Sequence, residues 1–382
     1  MGKSGNIRII QIDEIRWHNV GAWYAVSLSR GMAELGHEVF FIGKDDLPPV
    51  VMAREAGLTV RNDFKFNALR FISESRKLAN IAKEFQADVI CAHRAWGMNM
   101  ALAARAMLPK PGPVMVRTRV DARAVKAGLG NRFLYRDMVD GVVVTDGRSL
   151  FRYKQDLGML PERIRLLPGG VNTEAFKPDE SARKIREEWG VPPDAPLIGL
   201  VARIDYVKGH RHFLEAASEV TKKIPTAYFA IIGEEVNVKI SDLKRMANEL
   251  RIFDRVIFIG FRQDIPRCVA ALDIGVISST GSEALSRVAL EYMACALPVV
   301  ATTVGGIPDI VEDGTVGYMV PPGDSGKMAE AIIKLIEQPD MAKRMGQEGR
   351  NRAVNIYSRK EVARETINFY LELIERRVKK SR

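Results

Sequence analysis

The chain has 382 residues, 47% of them apolar, and carries 57 Lys/Arg against 47 Asp/Glu for a formal net charge of +10. That length holds two well-cored domains more readily than one. Three widely spaced cysteines, Cys91, Cys268 and Cys295, form no C-x-x-C pair, which argues against a disulfide framework or a zinc site and fits a reducing cytoplasm. No apolar run approaches the roughly 18 residues of a membrane span, and the opening stretch does not read as a signal peptide. Asn6 stands where a myristoylation signal needs a hydroxyl, and Gly2-Lys3-Ser4 has no upstream glycine or strand to make it a P-loop. Residues 1–170 hold 26 Lys/Arg against 17 Asp/Glu, whereas the remainder is nearly balanced at 31 against 30. The first half is therefore expected to meet an anionic surface or substrate, anionic lipid ahead of nucleic acid, because no nucleic-acid motif is visible. A merely solvated basic surface is the plain alternative.

In chain order the pattern alternates strand and helix. IRIIQI (7–12) reads as a first buried strand, RWHNVGAW (16–23) as a loop, AVSLSRGMAELG as a helix ending at Gly36, and HEVFFIG (37–43) as a second strand. A variable stretch with Pro48 and Pro49 precedes the strand LTVRN, a helix over 69–85, the strand ADVICAH and a helix over 98–108. VMVRTR, a helical region at 128–139, DGVVVTD, a further helix and RIRLLPGGVN complete the first half. Residues 174–194, with Pro178, Pro192 and Pro193, read as a linker with a short helix. The second alternation runs LIGLVA, a helix after Lys208, AYFAIIG, a helix at 240–250, RVIFIGF, a short helix at 266–271, LDIGVISS and VVATTV. YMVPPGD, helices at 325–337 and 339–354 and an amphipathic helix at 361–379 follow. This cadence predicts an α/β protein of two Rossmann-like, doubly wound domains, with ligand in a cleft at the carboxyl ends of the strands.

Two constellations carry chemistry. SEALSRVALEYMACALPVVAT (282–302) reads as one helix leading into a buried strand. On such a helix Glu283 and Glu291, eight steps apart, lie about 80° apart on one side and roughly 12 Å apart along the axis, comparable to a sugar diphosphate with its ribose. One carboxylate would take sugar hydroxyls and the other the ribose, while first-turn amides take phosphate. Two solvated surface glutamates are the alternative; Glu291, between Leu290 and Tyr292, is expected to be partly buried and in need of donors. In LVARIDYVKGH, Arg203 and Lys208 follow a strand and would stabilise negative charge growing on a leaving diphosphate. Their alternatives are an Arg203–Asp205 surface pair and a helix-capping Lys208. No D-x-D occurs, so a metal-carboxylate clamp is not expected and the cations would replace it.

VARIDYVKG, RVIFIGF, SEALSRVALEYMACALPVVAT, VGGIPDIVEDGTVGYMVPPGD and LLPGGVNTEAFKP together resemble glycosyltransferase family 4, retaining enzymes of the GT-B fold, among them cell-surface and lipopolysaccharide-type enzymes. The resemblance is strong over 163–324 and looser over 1–160. It implies catalytic roles for Arg203, Lys208 and Glu283. It implies donor binding by Gly21, Phe261, Arg262, Leu285, Ser286, Arg287 and Glu291, the phenylalanine and Arg262 lying at the turn that packs on the nucleobase. Val20 stands before Gly21 where the family usually has a second glycine, and Val120 stands where a histidine often follows R-T-R. In the front-face mechanism proposed for the family the leaving phosphate oxygen takes the acceptor proton, so the chemistry survives that change. His93, Arg117, Arg119 and Asp121 are the acceptor-side candidates; Arg117, Arg119 and Arg123 would bind an anionic acceptor or be solvated. His210 and His212 are expected at the surface.

The resemblance also implies domains at 1–172, acceptor-binding and joined by a C-terminal helix over 361–382, and at 173–360, donor-binding. The function expected is metal-independent, retaining transfer of a hexose or related sugar from a nucleotide-diphosphate sugar to a glycan, lipid or small-molecule acceptor, with no cofactor and no nucleic-acid partner. A cytoplasmic place is expected, with peripheral contact of the basic domain at the inner face of an anionic membrane. The rivals are a non-hydrolysing sugar-nucleotide epimerase and a catalytically silent sugar-nucleotide-binding protein. A nicotinamide dehydrogenase is disfavoured because no G-x-G-x-x-G follows either opening strand.

Overall fold

The computed structural model describes residues 5–17, 19–121, 123, 125–281 and 283–381. Gly2-Lys3-Ser4 and Ser282 lie outside the described residues. The chain divides into two compact units, Met1–Gly170 with Arg359–Arg382, and Val171–Ser358.

The first unit is built from β1 (Arg8–Ile12), α1 (Val20–Glu34), β2 (Glu38–Ile42), α2 (Pro48–Glu55), β3 (Thr59–Arg61), α3 (Phe71–Glu84), β4 (Val89–Ala92), α4 (Ala95–Ala106), β5 (Val114–Arg119), α5 (Leu129–Phe133), β6 (Gly141–Val144), α6 (Gly147–Gln155) and β7 (Ile164–Leu166). Its seven strands run parallel in the order β3-β2-β1-β4-β5-β6-β7. VICA and GVVV are buried along their whole length, as strands covered by helices on both faces must be.

Two helices begin where the sequence suggested irregular chain. α1 starts at Val20 because the Asn19 side chain accepts the Ala22 N–H at 2.9 Å, so the loop read as far as residue 23 is shorter. Gly21 accordingly sits buried in the first turn of α1 and not in a loop. Pro48 and Pro49 open α2, where prolines cost no hydrogen bond, and the stretch read as variable is a helix.

The second unit contains α7 (Arg183–Glu188), β8 (Leu197–Val201), α8 (His210–Lys223), β9 (Tyr228–Ile232), α9 (Ile240–Glu249), β10 (Val256–Ile259), α10 (Ile265–Ala270), β11 (Ile274–Ile277), α11 (Arg287–Ala294), β12 (Val299–Thr302), β13 (Gly317–Val320), α12 (Ser325–Glu337) and α13 (Pro339–Asn355). Six parallel strands are ordered β10-β9-β8-β11-β12-β13. The strand order reverses at β1/β4 in one sheet and at β8/β11 in the other, the places where doubly wound sheets open a crevice at their carboxyl ends.

The last helix, α14 (Arg359–Ser381), belongs to the first unit. A Cβ on Gly31 of α1 would lie 2.8 Å from the Ala363 Cβ, and one on Gly141 of β6 would lie 2.4 Å from Leu373 Cδ1. Phe369 and Tyr370 are fully buried there.

Candidate active site

The second unit's switch point gathers the residues that the sequence separated. Arg203 leaves β8, and Ser278 and Ser279 leave the adjacent β11. The Lys208 ammonium is hydrogen-bonded to Glu283 Oε1, and the Ser279 hydroxyl donates to that same oxygen at 2.6 Å. Both ends of the pair are largely shielded, with side-chain exposures of 19% for Lys208 and 7% for Glu283. The backbone interlocks around them: Ser278 Oγ donates to the Lys208 carbonyl at 2.8 Å, Thr302 Oγ1 to the Ser279 carbonyl at 2.6 Å, and Gly306 N–H to the Glu283 carbonyl at 2.8 Å. Two glycines make this possible. At Gly209 (φ +69°) a Cβ would stand 1.9 Å from the Ser278 oxygen, and at Gly305 (φ +58°) 1.7 Å from the Glu283 oxygen.

The single helix expected over 283–294 is not what forms. α11 starts at Arg287, with Ser286 as its N-cap, and Glu283 lies in the loop before it. Lys208, Ser279 and Gly306 hold that glutamate in a tertiary frame, so the 80° and 12 Å geometry of a shared helix does not apply. Leu285 and Ser286 are buried immediately ahead of the helix, and the Ser286 hydroxyl is buried without a hydrogen-bond partner among the described residues. Arg287 opens the helix and reaches Glu291 Oε1 at 2.8 Å. Glu291 is 3% exposed, which rules out a solvated residue. Burial raises its carboxyl above the usual range, and Arg287 pulls it back.

The remaining donor candidates are more open. Arg203 has a 60% exposed side chain and approaches Asp205 at 3.7 Å, so the surface ion pair anticipated for it is present. Phe261 is 72% exposed beyond β10. The Arg262 guanidinium is held by Glu188 at 2.6 Å and Asp264 at 2.7 Å. His210 is not at the surface: it is 3% exposed at the start of α8, and burial lowers its imidazole to about 4.

Residues 181–352 match the family of glycosyl transferases group 1, and residues 21–175 match Glycosyltransferase Family 4. The chain belongs to glycosyltransferase family 4. Among the relatives of this glycosyltransferase, N-acetyl-alpha-D-glucosaminyl L-malate synthase of Bacillus anthracis is 22% identical over 91% of this chain and 92% of its own. Alpha-maltose-1-phosphate synthase of Mycobacterium tuberculosis is 31% identical over 55% of this chain and 57% of its own. Alr3699/HepE of Anabaena, solved in complex with UDP, superposes with a TM-score of 0.81 at 20% identity, over 95% of this chain and 99% of that one. The shared fold is that of GT-B glycosyltransferases.

In the first unit of this glycosyltransferase the acceptor-side candidates do not all meet. Arg117, Arg119 and Asp121 line a cavity of about 430 Å³, together with Glu14, Arg94 and Trp96. His93 does not line it: it is buried, Nε2 lies 2.9 Å from Gln11 Oε1, and burial lowers its imidazole to about 3. Asp121 is partnered by Arg123 at 3.1 Å. Gly21 is tightly fitted, its imagined Cβ 3.1 Å from Ile15 Cδ1 and 3.2 Å from Asn19 Oδ1. Sequence reasoning missed Glu14, Arg94 and Trp96. Their signal was position: each follows a predicted strand, β1 or β4, at its carboxyl end.

Proposed function

We propose that the chain is a retaining hexosyltransferase that takes its sugar from a nucleotide-diphosphate donor and passes it to a glycan, lipid-linked or small-molecule acceptor. The observation that carries this reading is the Lys208–Glu283–Ser279 cluster at the β8/β11 switch point. Lys208 and Arg203 meet the negative charge that grows on the leaving phosphate as the glycosidic bond breaks. Glu283 accepts hydroxyls of the donor sugar, Glu291 those of the ribose, and Phe261 offers a face for the base. The acceptor oxygen attacks from the side the phosphate leaves, its proton passes to the phosphate oxygen, and the anomeric configuration is kept. These cations do the work of a metal, so chelation with EDTA leaves turnover unchanged. The UDP in the structural neighbour supports the donor class. A cytoplasmic place and peripheral contact with an anionic membrane belong to the same reading; the net charge of the first unit supports them, and sedimentation with phosphatidylglycerol vesicles tests the contact.

Thermal-shift screening against UDP, GDP, ADP and their sugar conjugates tests the donor site. A ligand at 100 times its Kd stabilises by about 2.7 kcal/mol. Arg203→Ala and Glu291→Ala each reduce that shift; an undiminished shift in both places the nucleotide elsewhere.

A further inference from the structure

The cavity in the first unit lies where its own strand order reverses. Glu14, Ile15, Arg16 and Trp17 follow β1, Arg94 and Trp96 follow β4, and Arg117 and Arg119 end β5. Six lining residues are cationic, Lys44 and Arg123 completing the set, against two carboxylates, Glu14 and Asp121. Arg123 and Asp121 neutralise one another, and Lys44 has Asp45 at 3.7 Å. Among the described residues neither the Arg16 nor the Arg94 guanidinium has a hydrogen bond or ion pair, although the Arg94 charge is felt by Asp13 and Glu14. Arg117 is 5% exposed yet lines the cavity; one of its nitrogens donates to the Ala92 carbonyl at 2.9 Å, and its Nε has no partner among the described residues. A buried guanidinium with an unsatisfied N–H costs stability unless an acceptor reaches it. Beside these cations stand two indole rings, Trp17 and Trp96, 53% and 42% exposed, together with Phe66.

The charge of the whole chain is partitioned in the same sense. The first unit, with α14, holds 34 Lys/Arg against 21 Asp/Glu, while the second holds 23 against 26. The entire cationic excess of the protein lies in the unit that contains this cavity. A diffuse basic surface would not need a buried arginine, nor aromatic faces beside it.

We infer that this cavity binds an anionic sugar, a hydroxylated ring bearing a phosphate or carboxylate group, and that this is the acceptor class of the transferase. The inference rests on the donor reading above only for the word acceptor. The anion is held by Arg16, Arg94 and Arg117, whose planar forks suit phosphate and carboxylate oxygens. The ring stacks on Trp17 and Trp96, and Glu14 accepts a ring hydroxyl.

Calorimetric titration of the full chain without nucleotide, with glucose 6-phosphate, glucuronate and glucose in turn, tests this. The expected result is that one or both charged sugars bind at least tenfold more tightly than glucose, with an affinity that falls as salt rises. Whichever of the two binds better tells phosphate from carboxylate. Arg94→Gln and Arg16→Gln each weaken the charged ligand about tenfold, and the nucleotide-induced thermal shift of the same variants reports that the fold is intact. Equal binding of glucose, no binding of any of the three, or charged-ligand affinity unmoved in the Arg16→Gln/Arg94→Gln double variant overturns the inference. Phosphatidylglycerol vesicles form a separate arm. Vesicle binding displaced by glucose 6-phosphate supports one anion site, whereas vesicle binding with no soluble ligand bound assigns the charge to lipid headgroups and overturns it. Nucleotide binding without sugar-phosphate binding sinks this inference alone; the reverse sinks the donor reading and leaves the cavity's ligand class standing.

Discussion

Two buried titratable residues near the β1/β4 switch point pull stability in opposite directions. Burial raises the Asp13 carboxyl from 3.8 to about 7, although the Ile15 N–H and the charges of Arg94 and Arg117 lower it; nearby Glu14 adds to the rise. Burial, helped by Arg117, lowers the His93 imidazole from 6.5 to about 3. Below about pH 6.5 the unfolded chain protonates its histidine while the native one does not, so this residue makes stability fall as pH falls. Between about pH 4 and 7 the native Asp13 keeps a proton that the unfolded chain releases, so this residue makes stability fall as pH rises. Each slope reaches about 1.4 kcal/mol per pH unit, and over their shared window they largely cancel. Buried His210, lowered to about 4, adds to the histidine slope, so relative to the parent the stability of Asp13→Asn is expected to climb more steeply from about pH 4 to 6.5 and that of His93→Gln to lose slope over that range, read from urea midpoints at stepped pH. Parallel pH profiles in the two variants contradict this. At the β8/β11 switch point Lys208→Ala strands the Glu283 carboxylate with the Ser279 hydroxyl. The cost is about 3 kcal/mol, at the low end for a broken buried pair because Lys208 retains some solvent. Adding Glu283→Gln recovers most of that loss; if it recovers none, the pair is not what holds the loop.

At the scale of elements, the loops at the β8/β11 switch point are fixed by backbone approach more than by side-chain packing. Gly305 has a left-handed φ and lies against the Glu283 carbonyl, whereas a Cβ on Gly281 would meet nothing within 4 Å among the described residues. Gly305→Ala is expected to cost at least ~2 kcal/mol in urea unfolding and to abolish the nucleotide-induced shift, while Gly281→Ala stays within about 0.5 kcal/mol of the parent. Equal effects would mean the loop tolerates displacement. The helices themselves follow their caps. Asp146 and Asp324 accept the Ser149 and Lys327 N–H groups at 2.8 and 2.9 Å, and α6 and α12 begin there. Ser286 accepts no such bond with its side chain, and α11 begins only after it, later than the apolar periodicity suggested.

At the scale of the whole molecule, α14 returns the end of the chain to the first unit. Phe369, Tyr370 and Leu373 are buried in that unit, each contributing about 1.5–3 kcal/mol of burial. Truncation after Ser358 is expected to abolish the first unit's cooperative unfolding while a nucleotide-responsive transition from the second unit survives. Loss of both transitions together would show that the units do not fold separately. The sequence by itself determined the alternation of buried strands and helices and the division of charge, because hydrophobic period, turn chemistry and composition are local properties. Tertiary structure alone decided that Glu283 leaves the helix for a Lys208 on another loop, that His93 and His210 are buried, and that Arg16, Arg94 and Arg117 converge on one cavity. Those outcomes depend on strand order, which sets what stands beside each carboxyl end, and no local periodicity records which strands become neighbours.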